Sequence, residues 1–201
     1  MKAAQIARGF DTRATHYDNP FTTFIGEREL RMIRTLVPAN SQVLDYGCGN
    51  GRTTLDLLLR GCSVTAYDIS VNMLAVARSK IHNLGREAEF VSDAEQLSAR
   101  SWPVVTCIGV LDYYPDPVPI LLSLREHLEP GGKLIVTYPN ALSPCAWLYM
   151  LGSKFTVPAT PRSPAFVSRA AKQAGLHIKR MLYAFPSIAP LGYTIVLAIS
   201  R

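Results

Sequence analysis

The feature that most narrows what this chain can fold into is one run, Val43-Leu44-Asp45-Tyr46-Gly47-Cys48-Gly49-Asn50-Gly51-Arg52. It begins as a buried strand, turns on three alternate glycines and continues into residues that suit a helix. Glycine reaches positive φ without a Cβ penalty and lets a ligand approach the backbone closely. A strand, a glycine turn and a helix in that order start a doubly wound α/β sheet. A dinucleotide fingerprint would need GxGxxG, and its third glycine would fall on Arg52. The spacing therefore suits a nucleoside ligand without a diphosphate and argues against nicotinamide-dependent oxidoreduction. Asp68 stands 19 residues after Gly49, at the end of the next apolar strand pattern. A carboxylate there can accept from both ribose hydroxyls, in the crevice where such sheets bind ligands.

From Ser41 onward strands and helices alternate. Strands are expected at Gln42–Tyr46, Ser63–Tyr67, Ala88–Val91, Val104–Gly109, Lys133–Tyr138, His177–Ala184 and Thr194–Ile199. Several are near-continuous apolar runs, as strands covered on both faces should be. The last two flank the Pro- and Gly-containing stretch Phe185–Gly192 and can pair antiparallel. The expectation is a doubly wound seven-stranded α/β sheet, mostly parallel, with one antiparallel edge strand. Ser70 should cap a helix running through Ile81 with Met73, Leu74, Ala77 and Ile81 on one face. Asp116 should cap the next, with Pro117 at its first position, and Pro130-Gly131-Gly132 should end it. Ser163-Pro164 should open another, closed by Gly175. Ile6, Phe10 and Tyr17 have roughly helical spacing, interrupted by Gly9. A short helix, Cys145–Leu151, closed by Gly152, is apolar on every face, so it must be covered by protein, a partner, a lipid or a greasy ligand.

Composition excludes several classes. With 48% hydrophobic and 18% charged residues over 201 positions, the chain is neither disordered nor a coiled coil. Its longest apolar runs, Ile195–Ile199 and Val118–Leu122 among them, fall far short of the ~18 residues of a membrane-spanning helix. The N-terminus lacks the apolar stretch of a secretion signal, so a cytoplasmic location is expected. Cys48, Cys62, Cys107 and Cys145 show no CxxC spacing and suit buried thiols in a reducing compartment. No metal site is expected, because no His pair has ligand spacing. Residues 1–129 carry 13 basic and 15 acidic side chains, whereas residues 130–201 carry eight basic ones and no acid. That asymmetry favours an anionic partner, or else keeps an apolar region in solution. The basic residues are scattered singly, which argues against nucleic acid. Peripheral contact with an anionic membrane stays open, as do monomer and homodimer.

The run Asp45-x-Gly47-x-Gly49-x-Gly51, then Asp68, Ser92-Asp93-Ala94, Thr106-Cys107-Ile108-Gly109-Val110-Leu111, Pro115-Asp116-Pro117 and Pro130-Gly131-Gly132-Lys133-Leu134, resembles the class I S-adenosylmethionine-dependent methyltransferases. The opening Phe10-Asp11-x-x-Ala14-x-x-Tyr17-Asp18 looks like that of the quinone-type members, whose N-terminal helix folds over the cofactor. The resemblance implies a Rossmann-like fold, one domain over 1–201 and S-adenosyl-L-methionine as cofactor. Residues 1–40 would be an N-terminal helical cap, 41–140 the cofactor-binding core, 141–176 a lid over the substrate and 177–201 the last two strands.

It also implies roles. Gly47, Cys48, Gly49 and Gly51 would line the methionine arm, with Asp45 beneath them holding loop amides or the ammonium group, directly or through water. Asp68 would grip the ribose. Ile69 and Met73 would sandwich the adenine; Asp93 would accept from its amine, and Ala94 would supply an amide. Ile108 would contribute backbone near the sulfonium and Tyr17 would close over the cofactor. Many small-molecule members carry a His pair after the fourth strand. This chain has Asp112-Tyr113, followed by Tyr114, from which a base can be built. An acceptor that arrives ionised needs none, since alignment can carry the rate. A Met73 in the core, an Asp93 that only caps a turn, and Asp112, Tyr113 and Tyr114 as plain pocket wall are the alternatives. The expected activity is in-line methyl transfer to a small, apolar and acidic acceptor; the alternative is a non-catalytic binding or partner subunit on the same fold. The amino-group nucleic-acid enzymes usually carry an Asn/Asp-Pro-Pro-Tyr motif, which is absent after the fourth strand.

Overall fold

The protein is described from a computed structural model, which covers residues 3–12, 14, 20–147, 160–185 and 190–200. Seven strands form one sheet: β1 Gln42–Tyr46, β2 Ser63–Tyr67, β3 Glu89–Val91, β4 Trp102–Cys107, β5 Leu128–Pro139, β6 His177–Ala184 and β7 Thr194–Ser200. Their spatial order is β3-β2-β1-β4-β5-β7-β6. Pairings from β3 to β5 are parallel. β7 runs antiparallel to both its neighbours, β5 and β6. The antiparallel strand thus lies one place in from the edge, and β6 takes the edge itself.

Among the described residues the helices are α1 Ala3–Asp11, α2 Pro20–Leu36, α3 Arg52–Leu59, α4 Val71–His82, α5 Val118–Glu126 and α6 Pro164–Gln173, with a further helical stretch at 144–147. Successive strand residues point to opposite faces, and the core divides accordingly. Leu134, Val136 and Tyr138 of β5, with Ile195, Leu197 and Ile199 of β7, pack on α5 and α6. Ile135, Val196 and Ala198 face the other way, onto the layer of α2, α3 and α4. Chain order reverses between β1 and β4, which opens a crevice at their carboxyl ends.

Helix punctuation follows the sequence closely. The Ser70 hydroxyl accepts from Met73 N at 3.1 Å, and the Ser163 hydroxyl from Phe166 N at 3.2 Å. Gly175 sits at φ +67 after α6, and Gly9 is accommodated inside α1. The segment around α5 departs from expectation. Asp116 Oδ1 accepts from Val118 N at 3.0 Å, but Pro117 is the cap residue and α5 begins one place later. Pro130-Gly131-Gly132 does not end the helix; it lies within β5, where the pairing register with β4 slips between Trp102 and Val104. An irregular ladder tolerates proline because no N–H is demanded there. β4 starts at Trp102 and stops at Cys107, leaving Gly109 at φ +66 outside it. Of the helix expected at Cys145–Leu151, residues 144–147 are helical and 148–151 lie outside the described residues, as does Tyr17.

Candidate functional site

The loop after β1 is held from below and open above. Gly47 N and Cys48 N both donate to Tyr67 O, at 2.7 and 2.9 Å, so the turn is stitched to the end of β2. A Cβ on Gly47 would lie 2.3 Å from Val110 Cγ2, and one on Gly51, at φ +79, would lie 2.9 Å from Ala77 Cβ. These two glycines are required by packing. Gly49, at φ +54, differs: a Cβ there would meet nothing within 4 Å. It borders the cavity at the carboxyl ends of β1, β2 and β4.

Asp68 is largely finished as a binding group. Its Oδ2 accepts from Gly49 N and its Oδ1 from Ser70 N, both at 2.8 Å. Each carboxylate oxygen has further acceptor capacity, so two ribose hydroxyls can still be held. Burial raises the Asp68 pKa above the usual carboxylate value, opposed by those two amides. Ile69 and Met73 line the same wall, Met73 almost fully buried. Cys48 and Ile108 line it too; burial keeps the Cys48 thiol protonated, with its pKa well above the ordinary value. Tyr46 and Tyr67 face each other with ring centroids 4.6 Å apart. Ile6 and Phe10 of α1 close another side, and the Phe10 ring meets Tyr113 edge-on at 5.2 Å.

Asp45 lies beneath the loop, as expected, and its direct partners are two hydroxyls. Its Oδ2 accepts from the Thr54 hydroxyl at 2.6 Å and its Oδ1 from the Thr106 hydroxyl at 2.8 Å, rather than from loop amides. It is buried beneath the loop, and burial pushes its pKa to about 6 against those two hydrogen bonds. Asp93 caps the 3-10 turn Ala94–Leu97, its Oδ1 accepting from Glu95 N at 2.9 Å. Neither Asp93 nor Ala94 lines the cavity. Tyr113 and Tyr114 do, whereas Asp112, in the 3-10 turn Leu111–Tyr113, is buried behind that wall.

Arg52 stands where a dinucleotide fingerprint would have its third glycine, and it has a structural part of its own. In the fold its Nη2 reaches Glu29 Oε2 at 3.3 Å, and Glu29 Oε1 accepts from the Thr194 hydroxyl at 2.8 Å. The chain of contacts ties the glycine loop to α2 and β7. Gly26 is its one sequence trace, because a Cβ there would lie 1.7 Å from Arg52 Nη1. The partner across α2 could not be named from spacing alone.

The carboxylate, the apolar slot of Ile69 and Met73 and the open space at Gly49 fit a nucleoside carrying an amino-acid arm. The sequence profile of a family described as "Methyltransferase domain" matches residues 44–134. A ubiquinone biosynthesis O-methyltransferase of Thiobacillus denitrificans is 28% identical over 200 residues, spanning 90% of this chain and 86% of that protein. Its counterpart in Pseudomonas aeruginosa is 30% identical over 162 residues, or 72% and 68% of the two chains. Among solved structures, magnesium protoporphyrin IX methyltransferase of Synechocystis with bound S-adenosylhomocysteine matches all of both chains, with a TM-score of 0.76 at 19% identity. Fold, glycine loop and relatives agree that the chain belongs to the class I S-adenosylmethionine-dependent methyltransferases acting on small molecules.

Proposed function

We propose that the protein methylates an oxygen of a small acceptor that carries an acidic hydroxyl on an apolar body. The observation that carries this reading is a cluster of unsatisfied groups at the carboxyl ends of β4 and β5. Asp112 Oδ1, Tyr138 Oη, Ser143 Oγ and Arg162 Nε are all buried and bond no described group. Buried polar atoms in folded proteins are nearly always paired, so the cluster suits a polar ligand or ordered water. Asp112, Tyr138 and Arg162 are close enough to influence one another electrostatically, and Asp112 immediately precedes Tyr113 and Tyr114, which line the cofactor cavity.

Asp68 would hold the ribose, Ile69 and Met73 the adenine, with Asp93 and Ala94 at its amine edge, and the loop 47–51 the methionine arm. When bound, S-adenosylmethionine supplies a sulfonium-activated methyl group open to in-line attack. Asp112 takes the acceptor's proton at its unbonded Oδ1. Burial is the main reason its carboxyl is pushed to about 7, with Glu29 adding to the rise and Arg162 opposing it. A base so poised is partly ionised near neutral pH and still basic enough to accept a proton. Tyr113 and Tyr114 orient the acceptor, and burial keeps Tyr114 protonated by raising its pKa. That the two relatives named above are O-methyltransferases supports oxygen as the atom.

The test is Asp112→Asn, assayed by methyl transfer to a panel of hydroxylated aromatic acids. Its kcat should fall by roughly 10²–10⁴ while the dissociation constant for S-adenosylhomocysteine stays unchanged. Turnover near that of the wild type would leave alignment alone as the mechanism.

A further inference from the structure

The helix α1 stands outside the strand–helix scaffold, yet it forms part of the cofactor cavity. At nine residues it is too short to be stable in isolation, so its position depends on how it is docked. Contacts on two sides help to dock it. At one side the Phe10 ring meets Tyr113 edge-on, at the 3-10 turn after β4. At the other, Asp11 seats on the N-terminus of α4. The Ser70 hydroxyl donates to Asp11 Oδ1 at 2.5 Å, Asn72 N approaches the same oxygen at 3.4 Å, and Asn72 Nδ2 donates to Asp11 O at 3.2 Å. A carboxylate is favoured there by the helix dipole of the 12-residue α4. Between these contacts Ile6 and Phe10, four residues apart on one helical face, turn into the cavity.

Ser70 belongs to both sides of this arrangement. Its hydroxyl holds Asp11, while its backbone N–H holds Asp68 Oδ1 at 2.8 Å. The carboxylate suited to the ribose and the attachment of α1 therefore meet at one fully buried residue. We propose that Asp11 is a positioning residue: it latches α1 over the bound cofactor through Ser70, so that closing α1 and filling the site beside Asp68 stabilise each other. Cofactor exchange requires the latch to open. A ligand that touches Ile6 and Phe10 only when α1 is docked shifts the population towards the docked state. By the same linkage, undocking α1 lowers affinity for the ligand.

The experiment needs no acceptor. Binding of S-adenosylhomocysteine is measured by calorimetry for the wild type, Asp11→Ala and Asp11→Asn, with amide hydrogen exchange of α1 followed in the free and bound protein. Asp11→Ala should raise the dissociation constant on the order of tenfold. The amides of α1 should gain protection on binding in the wild type and lose that gain in the variant. Asp11→Asn, whose side-chain oxygen can still accept from Ser70, should recover part of the affinity. A merely structural Asp11 would lower the melting temperature of free and bound protein alike and leave the dissociation constant within twofold, which would overturn the proposal. So would equal protection of α1 with and without the ligand. Should Asp11→Ala fail to fold, Asn72→Ala removes only the outer contact, and its smaller shift in affinity decides the same question.

Discussion

The carboxyl ends of β1 and β2 and those of β4 and β5 border one crevice, but they are finished to different degrees. On the first side both oxygens of Asp45 and both of Asp68 already have protein donors. On the second, Asp112 Oδ1 and the atoms clustered with it have none among the described residues. On the function proposed above, the contrast corresponds to the two ligands a methyltransferase handles. A cofactor common to the whole family can meet a site whose polar groups are preorganised. An acceptor that differs between relatives has to bring partners of its own.

The comparison can be broken first at the glycines. Gly51→Ala should destabilise the fold by about 2–5 kcal/mol, from a positive φ and the collision with Ala77. Chemical denaturation would show it as a lower midpoint at unchanged slope. Gly49→Ala tests the other half of the contrast. Its Cβ enters open space, so stability should fall by only about 1 kcal/mol while affinity for S-adenosylhomocysteine drops by on the order of 1–3 kcal/mol. Equal affinity in that variant would move the ligand away from the loop.

Asp68→Ala should weaken the same ligand by on the order of 1–3 kcal/mol, since the ribose loses a charged acceptor and Gly49 N and Ser70 N lose theirs. NAD should raise the melting temperature of neither protein. The pH dependence of stability sharpens the comparison differently. Asp45 and Asp112 bind protons more tightly in the folded protein than in the unfolded chain, with pKa values of about 6 and about 7. Their contribution to stability is complete below the unfolded carboxylate value. It is lost as pH rises through about 6 for Asp45 and about 7 for Asp112. Asp112→Asn should therefore lose less stability than the wild type between about pH 5 and about pH 8, measured by urea midpoints.

The smallest effect is expected at Trp147, 53% exposed and anchored by its Nε1 donating to Ala141 O at 2.8 Å. If the segment after β5 covers the acceptor, Trp147→Ala should raise the acceptor KM several-fold and leave the S-adenosylmethionine KM unchanged. A loss of about 1 kcal/mol is ordinary for one exposed aromatic contact. Sedimentation of the same variant would expose an interface instead, as a change of oligomeric state with normal acceptor kinetics.

Much of this protein was written locally. The strand Gln42–Tyr46, the glycines at 47, 49 and 51, Asp68 nineteen residues on and the Ser70 cap are all short-range signals, and each sits where its spacing put it. Such signals are legible because backbone conformation and capping depend on a few neighbouring residues. What the sequence could not supply was who meets whom across the sheet. Glu29 is buried with its pKa raised by desolvation, yet it is tolerated because Arg52 and Thr194, from 23 and 165 residues away, converge on it. Asp11 finds Ser70 across 59 residues. Asp112, adjacent in sequence to two cavity-lining tyrosines, is buried outside that lining, because a 3-10 turn sends successive side chains to different sides. Pairings of this kind depend on topology and on the mutual burial of charge, which only the assembled sheet decides.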